Sequence, residues 1–430
     1  MYQINPRTFS KEGTLKAITA ELDFLKKMGF TVIYLCPVFT EDDDTDKSCW
    51  SARQKQSGTE NPKNPYRISD YFSIDDEYGT TEDLKELIDT AHALDMKVLL
   101  DLVYMHIAPN ADIIKKHRDF AKQTSDGEII GTIYNFPSLD FRSEGLREYL
   151  YCNMVYYIAV LDADGFRCDV GESVPDDFWR EARRRIRTIK EDAILIDEGF
   201  TFEKVDSVYD CIYFVNWHDS LRKVFCEGES TACLRNIDED AKNRLPLGGV
   251  VLRDIDNHDT VTDWDGRTEV EAGTDGMEQI IVINYIIDGV PMVYCGNELA
   301  CKANINMFAN RFHPGKYEVT DRTKKDSPEA AKRQTLIKAL HKLKNENDIL
   351  RYGKTRWLES NLPNSIIAFE RATEHGRIIF VGNASDKPCT AEIQADCSFD
   401  EAEILLSNGI DEFHGSNIKL SPKGYAVFNL

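Results

Sequence analysis

Arg167 and Asp169 stand two residues apart in "GFRCDV" (165–170), a short apolar run entered through the turn pair Asp164-Gly165. As a strand, this run puts Phe166, Cys168 and Val170 on one face and Arg167 with Asp169 on the other. Opposite charges inside a strand are tolerated when paired, so a structural ion pair accounts for these two residues taken alone. Other apolar runs end on the same kinds of residue. "KVLLDLVYMH" (97–106) carries Asp101 and His106, "AILIDEGF" (193–200) carries Glu198, and "VVLRDIDNHDT" (250–260) carries Asn257, His258 and Asp259. Singly, each has a plain reading: Asp101 caps a loop, Glu198 sits on the surface, His258 is a satisfied core group. Jointly they offer Asp169, Glu198 and Asp259 with Arg167, His106 and His258. Two close carboxylates with a third beside them can cleave a glycoside. One attacks the anomeric carbon, and the other, kept protonated by neighbouring negative charge, gives its proton to the leaving oxygen. In that arrangement Arg167 holds Asp169 anionic and aimed.

That chemistry needs a scaffold that brings the run ends together. Eight strand-like runs occur in order: 1–5, 31–39, 97–104, 163–170, 193–200, 211–218, 250–257 and 290–296. Helical periodicity lies between several of them, at 80–96, 143–162, 176–191 and 273–288, and again at 329–346. Strand–helix alternation calls for a parallel sheet, and eight near-continuous apolar strands predict an α/β fold of the closed (β/α)8 TIM-barrel type. In such a barrel the working rim is formed by the carboxyl ends of the strands. The third connection is far longer than a barrel needs and reads as an inserted domain B at 105–142. The expected organisation is a catalytic barrel over 1–104 and 143–350, with short strands parted by Gly, Asn, Asp and Pro forming an antiparallel β-sandwich over 351–430.

The chain has 430 residues and a formal charge of −22, which repels nucleic acid and anionic membranes but not a neutral sugar. Its 11 cysteines form no CxxC pair and no zinc-type grouping, and several lie in apolar runs as small hydrophobes. That usage suits a reducing compartment. "MYQINPRTFSKEG" has no apolar leader core, and no run of about 18 apolar residues offers a span. The expectation is a cytoplasmic protein with no membrane or nucleic-acid partner and an oligosaccharide substrate.

The runs "DLVYMH" (101–106), "GFRCDV" (165–170), "LIDEG" (195–199) and "DIDNHD" (254–259) resemble, in order, the motifs of the α-amylase family of retaining glycoside hydrolases. "NPYRISDYFSIDDEYGT" (64–80) and "GVPMVYCGNE" (289–298) strengthen the likeness, which spans essentially the whole chain. The resemblance implies that Asp169 is the nucleophile, Glu198 the general acid/base and Asp259 the transition-state stabiliser. It implies that Arg167 orients Asp169, that His106 and His258 bind sugar hydroxyls, and that Tyr66 stacks on the sugar. Asp101 is then a scaffold residue of the rim. The implied reaction is double displacement with retention, between carboxyl groups about 5–5.5 Å apart.

Three positions depart from the family pattern. Met105 stands where an Asn usually ligates calcium, and Glu172 and Ser173 stand where Lys and His are common. A thioether is a poor partner for a hard cation, so the usual calcium site is expected to be absent and no cofactor is required. The acidic loop "TEDDDTDK" (40–47) reads as solvated, with calcium there as the alternative. Losing the Lys-His pair points away from long starch and toward short α-glucosides. Tyr104, Trp50, Trp217 and Phe200 are candidate sugar platforms, and Tyr104, beside His106, is the one assigned to the site. A transglycosylase or isomerase on the same site and a catalytically silent sugar binder remain as alternatives. A metal-dependent barrel enzyme is disfavoured by the lack of a compact His/Asp ligand set.

Overall fold

The computed structural model describes all residues except 264, 265, 304 and 313–317. Its centre is a ring of parallel strands: β1 (Tyr2–Ile4), β2 (Val32–Leu35), β3 (Lys97–Leu102), β4 (Gly165–Cys168), β5 (Ile194–Asp197), β6 (Cys211–Tyr213), β7 (Val250–Arg253) and β8. Strand β8 is in two pieces around Met292. Val290–Pro291 pairs with β7 and Val293–Tyr294 pairs with β1, so the last strand closes the barrel onto the first.

The period-2 alternation of short strands sorts their side chains. Tyr34, Leu99, Ile196, Cys211, Tyr213, Leu252 and Met292 fill the interior as one cluster. Ile33, Val98, Leu100, Phe166, Leu195, Ile212 and Val251 point outward against the helices. Each fully buried Ile, Leu, Val or Phe contributes about 1.5–3 kcal/mol, so a one-residue slip in register would be strongly opposed. Gly165 opens β4 at φ 144°, where a Cβ would lie 2.0 Å from the Ile194 carbonyl oxygen. The close approach of β4 to β5 therefore requires glycine.

The helices Thr81–Ala93, Glu144–Ala159, Asp176–Ile189, Gly273–Ile286 and Pro328–Glu346 fall where periodicity placed them. Thr80 and Ser143 cap the first two, each accepting a backbone N–H of the first turn. The run 211–218 does not stay a strand. It bends after Tyr213 into a helix, Val215–Cys226, because its apolar residues Trp217, Leu221, Val224 and Phe225 recur at helical spacing and are buried on one face. A further helix, Ala232–Arg244, and a two-stranded sheet of Phe39–Glu41 with Ile68–Ile74 were not anticipated.

The segment 105–142 forms no long strand. It holds two single-turn helices and bridges such as His106 to Ser138 and Gly131 to Pro137, and it covers the β3 side of the rim. After the last long helix come six antiparallel strands, β9 (Lys354–Trp357), β10 (Ile366–Thr373), β11 (Gly376–Asn383), β12 (Cys389–Glu392), β13 (Glu403–His414) and β14 (Asn417–Asn429). They form one continuous hydrogen-bonded sheet, with β14 pairing β11, β12 and β13. Alternation again assigns the faces: Ile367, Phe369, Ile378, Phe380 and Val427 join the barrel core, while Ile366, Ala368, Ile379, Val381 and Phe428 build a second core with Ile418 and Leu420. No helix among the described residues is long and apolar enough to cross a membrane.

Candidate active site

Arg167 is the hub of the rim. Its guanidinium is 1% exposed and meets three carboxylates, Asp101 Oδ1 at 2.8 Å, Asp169 Oδ1 at 2.9 Å and Glu198 Oε1 at 2.6 Å. Asp101 lies within β3, Asp169 just past β4 and Glu198 just past β5, so one side chain ties three adjacent strand ends. The ion pair Arg167–Asp169 is present, but it belongs to a four-member cluster rather than a closed pair. Asp101 also accepts from the hydroxyls of Tyr34 at 2.6 Å and Tyr66 at 3.0 Å, the bonding expected of a scaffold carboxylate.

Val170, directly after Asp169, sits at φ 40° and ψ 48°. A β-branched residue in the left-handed region is strained. That conformation aims the Val170 N–H at Glu198 Oε2, 3.0 Å away, and so fixes the second carboxylate from β4.

On the β7 side, His258 and Asp259 follow the strand end. The hydrogen bonds imply a tautomer for His258: the Gln3 amide donates to Nδ1 at 2.8 Å, leaving Nε2–H for the Tyr66 hydroxyl oxygen at 2.6 Å, while that hydroxyl donates to Asp101. The Tyr66 and His258 rings are stacked, with centroids 5.4 Å apart. His106 donates from Nε2 to the Tyr66 carbonyl at 2.8 Å, and burial pushes its imidazole down to about 4, so it is neutral at neutral pH.

The carboxyls differ in environment. Burial pushes Asp169 well above the usual carboxylate range; Arg167 opposes this, and Glu198, Asp101 and Asp259 add to it. This differs from the expectation that Arg167 holds Asp169 anionic. Asp169 has the deeper side chain, 9% exposed against 20% for Glu198, and burial outweighs one shared guanidinium. Asp259 is more open, 31% exposed, and although partial burial pushes it up, the cations Arg53 and Arg167 help to hold it well below the usual range.

A cleft over this cluster is lined by Asp169, Glu198, Asp259, Tyr66, His106 and His258, together with Arg53, Asn64, Tyr134, Phe136, Met307 and Phe308. Six of the eight sequence-assigned residues thus line one cleft, and Arg167 lies beneath it. Tyr104 does not join them. It is wholly buried, stacks on Trp179 at 5.9 Å and donates to Asn153 Oδ1 at 2.5 Å, because the chain turns after β3 and sends this ring outward among the helices. Trp50 and Trp217 are also buried and spend their indole N–H groups on Asp44 O and Asn284 Oδ1, both at 2.8 Å. Phe200 is exposed but does not line the cleft.

Arg53 is the main residue that sequence reading missed. It stands on the short helix Ala52–Ser57 and donates to Asp259 Oδ1 and Asp263 Oδ1, both at 2.8 Å. Nothing in "SARQKQ" marks it out from an ordinary polar helix. Tyr134 and Phe136, on the 105–142 segment, place their rings against His106 at 5.7 and 4.9 Å.

Met105 offers a thioether, and its carbonyl accepts the Leu139 N–H at 3.2 Å. In the acidic loop two carbonyls turn toward an internal cation: Arg67 Nη2 donates to Asp42 O at 2.9 Å and Asp44 O at 3.1 Å, and also to Pro62 O, outside the loop, at 2.9 Å. Among the described residues no group of three or more His, Cys, Asp or Glu is placed to hold a metal ion.

Fold and site together define a (β/α)8 barrel with a carboxylate cluster held by arginine at the carboxyl ends of its strands. A family model described as the alpha-amylase catalytic domain matches residues 3–127. The chain is 25% identical to the alpha-amylase MalA of Haloarcula japonica over 92% of its own length and 56% of that protein's. It is 25% identical to a cyclomaltodextrinase of a Bacillus species over 86% of this chain and 65% of the other. Among solved structures, the maltogenic alpha-amylase AmyB of Thermotoga neapolitana superposes with a TM-score of 0.83 at 21% identity, covering 100% of this chain and 97% of that one. The likeness to the alpha-amylase catalytic domain is carried by residues 3–127 in the family model and by the whole chain in the fold. It spans 56% and 65% of the lengths of the two curated relatives named here.

Proposed function

We propose that the protein hydrolyses α-glucosidic bonds of short α-glucans or maltodextrins by double displacement with retention. The observation that carries this is the single guanidinium of Arg167, which reaches both Asp169 and Glu198 on the floor of a cleft whose wall holds Asp259. Two carboxyls on one guanidinium are close neighbours, as a nucleophile and an acid/base acting on one bond must be. Asp169 attacks the anomeric carbon while Glu198 gives its proton to the leaving oxygen. Glu198 then takes a proton from the water that opens the glycosyl ester, and the α-anomer is restored. The reactive arrangement of the pair has its proton on Glu198 and its charge on Asp169. Asp259, kept ionised, stabilises the positive charge that develops at the sugar ring. Side chains supply every step, and relatives named for cyclomaltodextrin and maltogenic activities support the substrate class.

A proton NMR time course with maltopentaose tests this. The expected first product signal is the α-anomer. A β-anomer appearing first would overturn retention, and no products at any enzyme concentration would overturn hydrolysis of this substrate class.

Arg53 carries a second prediction. It helps to hold Asp259 below the usual carboxylate range, so Arg53→Ala should raise the pH at which Asp259 takes up a proton. The acid limb of kcat/KM is then expected to move upward, with activity lost first below about pH 5. An unmoved limb in a folded variant would show that Arg53 does not set the charge of Asp259.

A further inference from the structure

Loops that follow four different strands are tied to one another around the catalytic carboxyls. After β3, Asn135 Nδ2 donates to Ser48 O at 2.5 Å and Trp50 O at 3.4 Å, both on the loop after β2. From that same loop Arg53 reaches Asp259 and Asp263 after β7, and Asn61 Nδ2 donates to Ala309 O after β8 at 3.0 Å. The β7 and β8 loops are joined in turn, the Met307 N–H donating to Thr262 Oγ1 at 3.1 Å. Ser51, Arg53, Tyr134, Phe136, Met307 and Phe308 line the cleft from these loops, so they form one continuous wall.

In the ring of eight strands this tied arc runs over β7, β8, β1, β2 and β3. Glu198 stands past β5, on the facing arc. That arc is tied within itself: the Val170 N–H to Glu198 Oε2, the Phe200 N–H to Glu172 Oε2 at 3.1 Å, and Arg244 Nη2 to Phe200 O at 2.7 Å. Among the described residues no hydrogen bond or ion pair joins 170–173 or 198–204 to the wall.

The chemistry of the bond fixes which way a glucan lies. Glu198 gives its proton to the leaving oxygen, so the leaving portion extends toward β5. In a 1,4-linked glucose C4 lies across the ring from C1, so the 4-OH of the sugar over Asp169 points away from Glu198 and at the wall. The cavity measures about 70 Å³, far below the roughly 300–1,000 Å³ of a site that buries a drug-sized ligand, and it leaves no room for a second ring beyond the first.

We propose that the protein is exo-acting: the wall built from 48–53, 134–136, 259–263 and 306–309 admits only the terminal ring of a non-reducing end. Glucose then leaves one unit at a time, and internal bonds and those of a cyclic glucan do not reach Asp169. The inference rests on the hydrolase reading, with Glu198 as acid/base.

Three substrates test it: maltopentaose, maltopentaose whose non-reducing ring is blocked as a 4,6-O-ethylidene acetal, and cyclomaltoheptaose, which has no end. The expected first product from the free pentaose is glucose, with the blocked and cyclic glucans cleaved more than about thirtyfold more slowly. A smaller difference for either, or maltose as the first product, overturns the proposal. Arg53→Ala combined with Asn135→Ala cuts two of the ties, and the ratio of blocked to free cleavage should rise by about tenfold or more. An unchanged ratio in the folded variant overturns the wall as the stop. Should the double variant fail to fold, Asn135→Ala alone carries the same ratio. Binding separates this inference from the hydrolase reading. Saturation-transfer NMR of maltopentaose on the Asp169→Asn variant should mark the non-reducing ring most strongly, and saturation spread evenly over the rings overturns the proposal. If wild type cleaves none of the three but the non-reducing ring is still the one marked, hydrolysis falls and the closed wall stands. If the blocked pentaose is cleaved like the free one, the closed wall falls alone.

Discussion

Asp169→Asn is expected to lower turnover on maltodextrins by about four orders of magnitude or more while leaving the fold intact. The amide keeps the shape of the carboxyl but cannot form the glycosyl ester, and no second carboxylate stands in its place. Glu198 is held by Arg167 and the Val170 N–H, and Asp259 is held by Arg53. The same substitution should not lower stability. Asp169 is pushed up by burial, so its folded pKa lies above its unfolded one. A group of that kind contributes stability below its unfolded pKa and loses it as pH rises through the folded value. The amide has no such loss, so the variant should gain on wild type from about pH 4 upward. Steady-state sugar release and thermal melts at several pH values check both halves. Turnover within about tenfold of wild type would remove Asp169 from the mechanism.

Arg167→Met is expected to be the most damaging single change to the site. The methionine fills much of the same space but leaves Asp101, Asp169 and Glu198 together with no shared cation. Breaking a buried ion cluster from one side costs about 3–5 kcal/mol, because the remaining charges stay buried and unpaired. Asp169, already pushed up, loses the one neighbour opposing that push most strongly and rises further. The loss of stability should therefore be larger at about pH 8 than at about pH 5. Arg167→Lys should rescue little, since an ammonium is a point charge and cannot reach three carboxylates in a planar fork. Urea unfolding at the two pH values tests this, and an equal loss at both would show that the arginine acts by packing rather than by charge.

Much of the architecture could be read directly from the chain. Alternating apolar residues specify the barrel strands, because in a strand every second side chain shares a face and burial then fixes the register. Helical spacing specifies Thr81–Ala93 and Glu144–Ala159, with Thr80 and Ser143 marking their starts. Strand polarity did the rest for the carboxylates: a residue at the carboxyl end of a parallel barrel strand must lie on one rim, so Asp169, Glu198 and Asp259 could be brought together without coordinates. The limits of that reading are also physical. The run 211–218 satisfies strand composition and helical spacing at once, and only the burial of Trp217 and Leu221 against neighbouring helices decides for the helix.

What remained belongs to the tertiary structure, because contacts between distant loops leave no period in the sequence. Arg53 reaches Asp259 across 206 positions of chain, and no local pattern records it. Tyr104 and His106 are two residues apart and part company at a turn, one into the helices and one into the cleft. The acidic loop looks like a place for a cation, and two of its carbonyls do face one, the guanidinium of Arg67 arriving from another segment. The sequence alone determined which carboxylates meet. The tertiary structure decided how deeply each is buried and which cation it touches, and these two quantities set where the protons lie, because desolvation and charge act through distance in space rather than along the chain.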